Sequence, residues 1–244
     1  MKLSARAAAN YILFAFLFTS VCMLLGRTAV RFAEDTAAAV SAASESPVFL
    51  IDPGHGGEDG GASAGDILEK DLNLTVARNL ADICAIFGQN VSLTRNSDTL
   101  LYDAFDDLED YSGKKKTYDL KNRLRMAEES GASLFVGIHM NKFPQESSKG
   151  LQVYYTKNAD GSENAARMIQ NYAKTHLIPW NEREIKGATS AIYLLHRIRM
   201  PAVLVECGFL SNPADCASLT DPAYQRQLAS VIFSACTEWA VSQE

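Results

Sequence analysis

Val48-Phe-Leu-Ile-Asp-Pro-Gly-His-Gly-Gly57 sets an apolar run of strand length against a glycine-rich turn that carries a histidine. A short apolar run closed by turn residues reads as a fully buried strand. Two further runs repeat the pattern. Ser133-Leu-Phe-Val-Gly-Ile138 ends in His139-Met-Asn141, and Ala202-Val-Leu-Val205 ends in Glu206-Cys-Gly208. Three buried strands, each followed directly by a polar, chemistry-bearing residue, predict an open sheet with its site at the carboxyl ends of the strands.

Between these strands lie helical patterns. Leu72, Val76, Leu80, Ile83 and Phe87 recur at helical spacing over 70–87, with Gly88 as the stop. Residues 118–130 read as a second helix and 162–176 as a third, with Ser162 as its N-cap. Asp221-Pro222 supplies a cap and a first-turn proline for a last helix, whose Tyr224, Leu228, Val231, Ile232, Ala235 and Trp239 share one face. Further strands are predicted over 90–95 and 151–155. The fold class is therefore α/β: one domain, residues 47–244, with a mostly parallel twisted sheet flanked by helices. Segment 97–117 fits neither pattern. It carries Asp103, Asp106, Asp107, Glu109 and Asp110, then three lysines, and reads as a surface excursion, either a solvated loop or a rim that docks a regulatory protein.

The beginning of the chain differs. Residues 7–26 hold no charged side chain and follow Lys2 and Arg6. A stretch of that length is enough to cross a bilayer as a helix. A cleaved signal segment is the alternative. Residues 1–31 are read as an N-terminal hydrophobic helix that anchors the chain in the membrane, and 32–46 as a linker. Either reading places the domain outside the cytoplasm. Cys22 follows Val21, a poor fit to a lipidation box.

The 244 residues include 23 Lys and Arg against 29 Asp and Glu, a net charge of −6, so the basic footprint of a nucleic-acid binder is missing. Five cysteines at 22, 84, 207, 216 and 236 form no C-x-x-C pair, which argues against a thiolate metal site and a disulfide framework. Two imidazoles and one carboxylate make a hydrolytic zinc site with an open position for water. His55 and His139 are the candidate imidazoles. Spacing alone leaves the carboxylate open among Glu58, Asp59, Asp66, Glu69, Asp71 and Glu206. His176 and His196, near a helix end and in an Arg-rich turn, are read as non-ligands.

Four ordered motifs narrow the choice: Asp52-Pro-Gly-His-Gly-Gly57, Glu69-Lys-Asp-Leu-Asn-Leu74, Gly137-Ile-His-Met-Asn141 and Val205-Glu-Cys-Gly-Phe-Leu-Ser-Asn212. With them the domain resembles the zinc-dependent N-acetylmuramoyl-L-alanine amidases. The resemblance implies Zn2+ held by His55, Glu69 and His139, with Glu206 as the catalytic carboxylate and peptidoglycan as substrate. The other acids near His55 then become loop residues. Met140 stands where Ala or Leu is common, a change of packing rather than ligation.

Ser97-Asp-Thr-Leu-Leu-Tyr-Asp103, Asp119-Leu-Lys-Asn-Arg123, His139-Met-Asn-Lys-Phe-Pro-Gln145 and Gly150-Leu-Gln-Val-Tyr-Tyr155 are similar to the germination-specific spore cortex subgroup. That similarity implies a role in forming muramic-δ-lactam. Arg123 and Asn141 are weaker candidates for substrate contact. Salt bridging or capping at a carbonyl end is the alternative for Arg123, and orienting a ligand or merely ending the strand are the alternatives for Asn141. Lys142 and Phe143 are candidates for the rim of the groove. The competing readings are a zinc peptidase cutting within the stem peptide and an anchored peptidoglycan-binding scaffold with a dead site.

Overall fold

The computed structural model of the chain describes Met23 and residues 49–243. The expected anchor (1–31) and linker (32–46) lie outside the described residues, apart from Met23. No described helix is long and apolar enough to cross a membrane.

Strand β1 (Phe49–Pro53) leads through a two-stranded hairpin, β2 (Ser63–Ala64) and β3 (Ile67–Leu68), into helix α1 (Glu69–Ile86). There follow β4 (Val91–Leu93), α2 (Lys115–Glu129), β5 (Leu134–Asn141) and β6 (Gln152–Tyr155). The chain continues with α3 (Ser162–His176), β7 (Lys186–Gly187), α4 (Tyr193–Arg197) and β8 (Ala202–Phe209), and closes with α5 (Pro213–Thr220) and α6 (Pro222–Val241). The main sheet runs β4-β1-β5-β8-β6-β7. Every pair in it is parallel except β6 with β8. The expected α/β class with a mostly parallel sheet is the one observed.

Period-two alternation divides the sheet residues between two cores. Ile51, Val136, Ile138, Val203, Val205 and Cys207 face the larger one, where α1, α3 and α6 bring Val76, Leu80, Ile169, Leu228, Ile232 and Trp239. Burying each large aliphatic side chain of this kind stabilises the fold by about 1.5–3 kcal/mol. Leu50, Phe135 and Leu204 face the other way, against Ala127 of α2 and Leu194 and Leu195 of α4. That second layer is the thinner one. On its side, beyond Leu204, the strands carry polar residues.

Local detail corrects two expectations. Ser162 does not cap α3: Gly161 occupies the N-cap position. The buried Ser162 hydroxyl instead donates to the Ala159 carbonyl and accepts from the Ala202 N–H, stitching the helix start to β8. Asp221 does cap α6 through the Ala223 N–H, and Asn212 caps α5 by the same Asx-Pro device. Segment 97–117 is not simply a solvated loop. Leu100 and Tyr111 are buried, the Leu101 N–H donates to Asp119, and Asn122 donates to the carbonyls of Leu101 and Tyr102.

Candidate active site

The turn after β1 is held from three sides. Arg95 donates to the carbonyls of Pro53 (2.9 Å) and Gly54 (3.0 Å), and Asn73 of α1 donates to Gly54 (3.1 Å). Arg123 of α2 donates to the carbonyls of Pro53 (2.9 Å) and His55 (2.7 Å). These bonds fix His55 at φ 61°, in the left-handed region. A non-glycine residue costs of order 1–3 kcal/mol there, so the surrounding donors offset that strain. The imidazole is thereby turned toward α1 and β5.

Gly54 and Gly61 are required by close approach. A Cβ on Gly54 would lie 2.1 Å from Cε1 of His139. At Gly61, where φ is +68°, a Cβ would lie 2.5 Å from a Glu69 carboxylate oxygen and 2.8 Å from the His55 ring. No ordinary side chain fits either position without moving the site.

Glu69 opens α1, where the helix dipole favours an ionised carboxylate. Its Oε1 lies 3.3 Å from His55 Nε2 and 3.0 Å from His139 Nδ1. Its Oε2 accepts from the Ala62 N–H at 2.7 Å, and Oε1 also accepts from the Met140 N–H at 3.1 Å. Burial opposes the charge on Glu69, but the two imidazoles and their hydrogen bonds prevail and hold its carboxyl well below the usual range. Ligand atoms of His55, Glu69 and His139 all lie within 4.8 Å of one another.

The donor chemistry suits a metal ion. His55 Nδ1 faces the Asp59 carboxylate at 2.9 Å. In a neutral ring with its proton there, Nε2 would present a lone pair to the Glu69 carboxylate, and a cation held by both would relieve that repulsion. Two imidazole nitrogens and a carboxylate oxygen are the donors of three-ligand hydrolytic zinc sites. Asp59 then does what carboxylates do behind ligating histidines, fixing tautomer and ring orientation.

Glu206 is next in the row. It pairs in register with His139 across β5 and β8, and its Oε2 is buried with no hydrogen-bond partner among the described residues. Burial pushes its carboxyl up to about 7; the neighbouring Glu69 acts in the same direction and the two histidines oppose it. A carboxylate tuned close to neutrality is suited to taking and returning a proton. Cys207 points to the opposite face, into the larger core, and burial raises its thiol far above neutrality. A thiolate nucleophile is excluded there.

The four main candidates, His55, Glu69, His139 and Glu206, thus come together. Arg123 does not join them as a substrate contact. It is 1% exposed, and its guanidinium is taken up by Asp52, Asp119 and the carbonyls of Pro53 and His55. Its salt-bridging alternative is the one realised. Asn141 ends β5 past a register shift, its carbonyl accepting from the Leu210 N–H. Lys142 donates to the Ser63 carbonyl, and Phe143 is 50% exposed beside it. His176 and His196 stand apart from the cluster.

Sequence reasoning missed Asp59, reduced there to a loop acid, and also Asn73 and Arg95. Asp59 lies four residues after His55 and Asn73 four after Glu69, a spacing that hints at support within a turn or helix. Arg95 has no such local signal, because three of its four partners are backbone carbonyls distant in the chain, at Pro53, Gly54 and Lys70.

Comparison with known proteins agrees with this geometry. Residues 49–238 match the family described as N-acetylmuramoyl-L-alanine amidase. The germination-specific N-acetylmuramoyl-L-alanine amidase of Bacillus subtilis (strain 168) is 37% identical over 76% of this chain and 76% of its own length. A solved structure of the CwlD amidase from Clostridioides difficile in complex with the GerS lipoprotein is 36% identical, with a TM-score of 0.74 over 81% of this chain and 100% of that one. The amidase AmiC2 of Nostoc punctiforme is 30% identical, with a TM-score of 0.65 over 81% of this chain and 98% of that one. Fold and site together are those of a peptidoglycan hydrolase. The chain belongs to the N-acetylmuramoyl-L-alanine amidase family, and its enzyme class is that of a peptidoglycan amidase.

Proposed function

We propose that the chain is a zinc hydrolase cleaving the amide bond between N-acetylmuramic acid and L-alanine, and that it acts in maturation of the spore cortex, on the route to muramic-δ-lactam. The observation that carries the catalytic part is the meeting of His55, Glu69 and His139 beside Glu206, whose Oε2 is buried with no hydrogen-bond partner among the described residues. His55, Glu69 and His139 would hold the ion. When bound there, zinc supplies a Lewis acid that polarises a carbonyl and acidifies water.

The chain's own groups do the rest. Glu206 accepts the proton of the attacking water at its carboxylate and returns it to the departing alanine nitrogen, so that the amine leaves neutral. Asp59 keeps the His55 ring oriented. Arg95, Asn73 and Arg123 hold the turn that carries it, so the site is set before substrate arrives.

The spore role is supported by similarity to the germination-specific amidase and to CwlD. That CwlD structure contains a lipoprotein, which supports a protein partner for this chain as well. We place the domain outside the cytoplasm, where its substrate is, held there by residues 1–31 as a membrane anchor.

The test is digestion of a defined disaccharide-peptide substrate followed by mass analysis. An intact sugar with a free lactyl carboxylate and a peptide beginning at L-alanine are expected. Cleavage within the stem peptide would replace this reading with a peptidase, and intact substrate would favour a scaffold.

A further inference from the structure

The register of the sheet extends the candidate site beyond Glu206. His139 pairs with Glu206 across β5 and β8, and Glu206 pairs with Gln152 across β8 and β6. Paired residues share a face, so these three side chains form one row across the strands. Neighbouring strands lie about 4.8 Å apart, which puts Gln152 roughly 10 Å from His139. Arg183 sits at the far end. Its Nη1 donates to the Gln152 Oε1 at 2.9 Å and its Nε to the Lys149 carbonyl at 2.8 Å, and its guanidinium lies 4.4 Å over the Phe209 ring.

Arg183 differs from the other half-buried and buried arginines of this fold. Arg123 is neutralised by Asp52 and Asp119, and Arg95 donates to four backbone carbonyls. Among the described residues, Arg183 has no carboxylate partner, and its Nη2 has no acceptor. Three contacts immobilise the guanidinium while one edge is left unsatisfied. A half-buried guanidinium held this way is organised for an acceptor from outside the chain. Tyr154 stands in the same neighbourhood. Its hydroxyl is raised first by burial, then by the Glu206 charge, with Arg183 opposing, so it lies within the field of both groups.

We propose that Arg183 is a specificity determinant that binds a carboxylate on the peptide side of the scissile amide, carried by the second residue of the stem. This rests on the amidase reading above. Two considerations select that ligand. Once the lactyl group is amidated, the sugar side is uncharged, whereas the stem peptide retains free carboxylates. Distance agrees. An extended peptide advances about 3.3–3.6 Å per residue, so two residues beyond the scissile carbonyl reach roughly 7 Å. That reach is of the same order as the roughly 10 Å row from His139 to Gln152. The peptide thus crosses the strands over Glu206, with its second-residue carboxylate on the free Nη2 of Arg183.

The experiment compares two disaccharide peptides with the zinc-loaded full chain. One carries D-isoglutamate at the second position and the other D-isoglutamine, which removes only the negative charge. Wild type is expected to favour the acid in kcat/KM by roughly tenfold to hundredfold, the worth of one charge-assisted hydrogen-bonded pair. Arg183→Gln should abolish that preference, chiefly by raising KM for the acid, while Arg183→Lys keeps part of it. Inhibition of wild type by the free L-Ala-D-isoGlu and L-Ala-D-isoGln dipeptides gives the same comparison without any variant, and the acid should inhibit more strongly. Equal cleavage and equal inhibition by acid and amide in wild type would overturn the carboxylate proposal and leave the amidase intact. An acid preference that survives in a folded Arg183→Gln would overturn the role of Arg183. Failure of wild type to cut either substrate at the muramoyl–alanine bond would overturn the amidase reading, and this proposal with it.

Discussion

His139 and Glu206 are paired in register on neighbouring parallel strands, one contributing to the convergent His-Glu-His group and the other bringing a buried carboxylate beside it. The backbone hydrogen bonds of the sheet therefore fix the distance between the proposed ligand and the proposed proton carrier. Neither side chain depends on a loop for its position.

Glu206→Gln keeps the shape of that carboxylate and removes its basicity. The variant should retain near-stoichiometric zinc and lose about 10²–10⁴-fold in kcat, the usual range for a general acid–base group. Metal content and turnover measured on the same preparation check this. Native turnover in the variant would remove Glu206 from the proton path.

Asp59→Asn weakens the acceptor behind His55 without changing volume. Loss of such a supporting carboxylate typically costs about 10–100-fold in metal affinity. Competition with a graded chelator should show that loss, and excess zinc should restore most of the activity. An unchanged affinity would make the Asp59–His55 contact incidental.

Gly54→Ala drives a Cβ into the His139 ring. Overpacking of this kind costs about 1–3 kcal/mol, and here the displaced group is a candidate ligand. A lowered melting temperature and reduced zinc binding are expected together. Gly65→Ala is the control, since a Cβ there meets nothing within 4 Å, although its φ of +58° still carries some backbone strain.

The buried Asp52–Arg123 pair should govern acid stability. Burial opposes the charge on Asp52, yet Arg123 and the Thr94 hydroxyl prevail and hold its carboxyl below the ordinary 3.8. A carboxyl lowered by folding stabilises the native state above its ordinary value. That contribution is lost as pH falls through the lower, folded value. Urea unfolding in steps from pH 6 to pH 2 should therefore show stability dropping below about pH 4. Arg123→Met strands two buried carboxylates and should cost about 3–5 kcal/mol near neutrality.

The parts of this molecule that could be read directly are those encoded by local pattern. β1, β5 and β8 announce themselves as apolar runs; His55 follows the end of β1, whereas His139 and Glu206 lie inside β5 and β8, because both strands run on past their apolar residues. The weakest readings depended on partners far away in the chain. Arg123 meets Asp52 across 71 residues, a contact that no helical pattern in 115–129 reveals. β2, β3 and β7 have two residues each, too short for alternation to show. Spacing leaves Glu69 one of several acids near His55; the motif resemblance singles it out, and α1 places it at its first position, facing both histidines. The assignment of Ser162 as a cap failed because its hydroxyl is engaged by β8, again a tertiary contact.

The central claim is that one zinc ion occupies the His55–Glu69–His139 group and that activity depends on it. Zinc per chain, measured by native mass spectrometry on wild type and on His139→Ala, tests it most directly. One zinc is expected on wild type and none on the variant. Equal zinc on both, or wild type that cleaves substrate at full rate with no zinc bound, would contradict it.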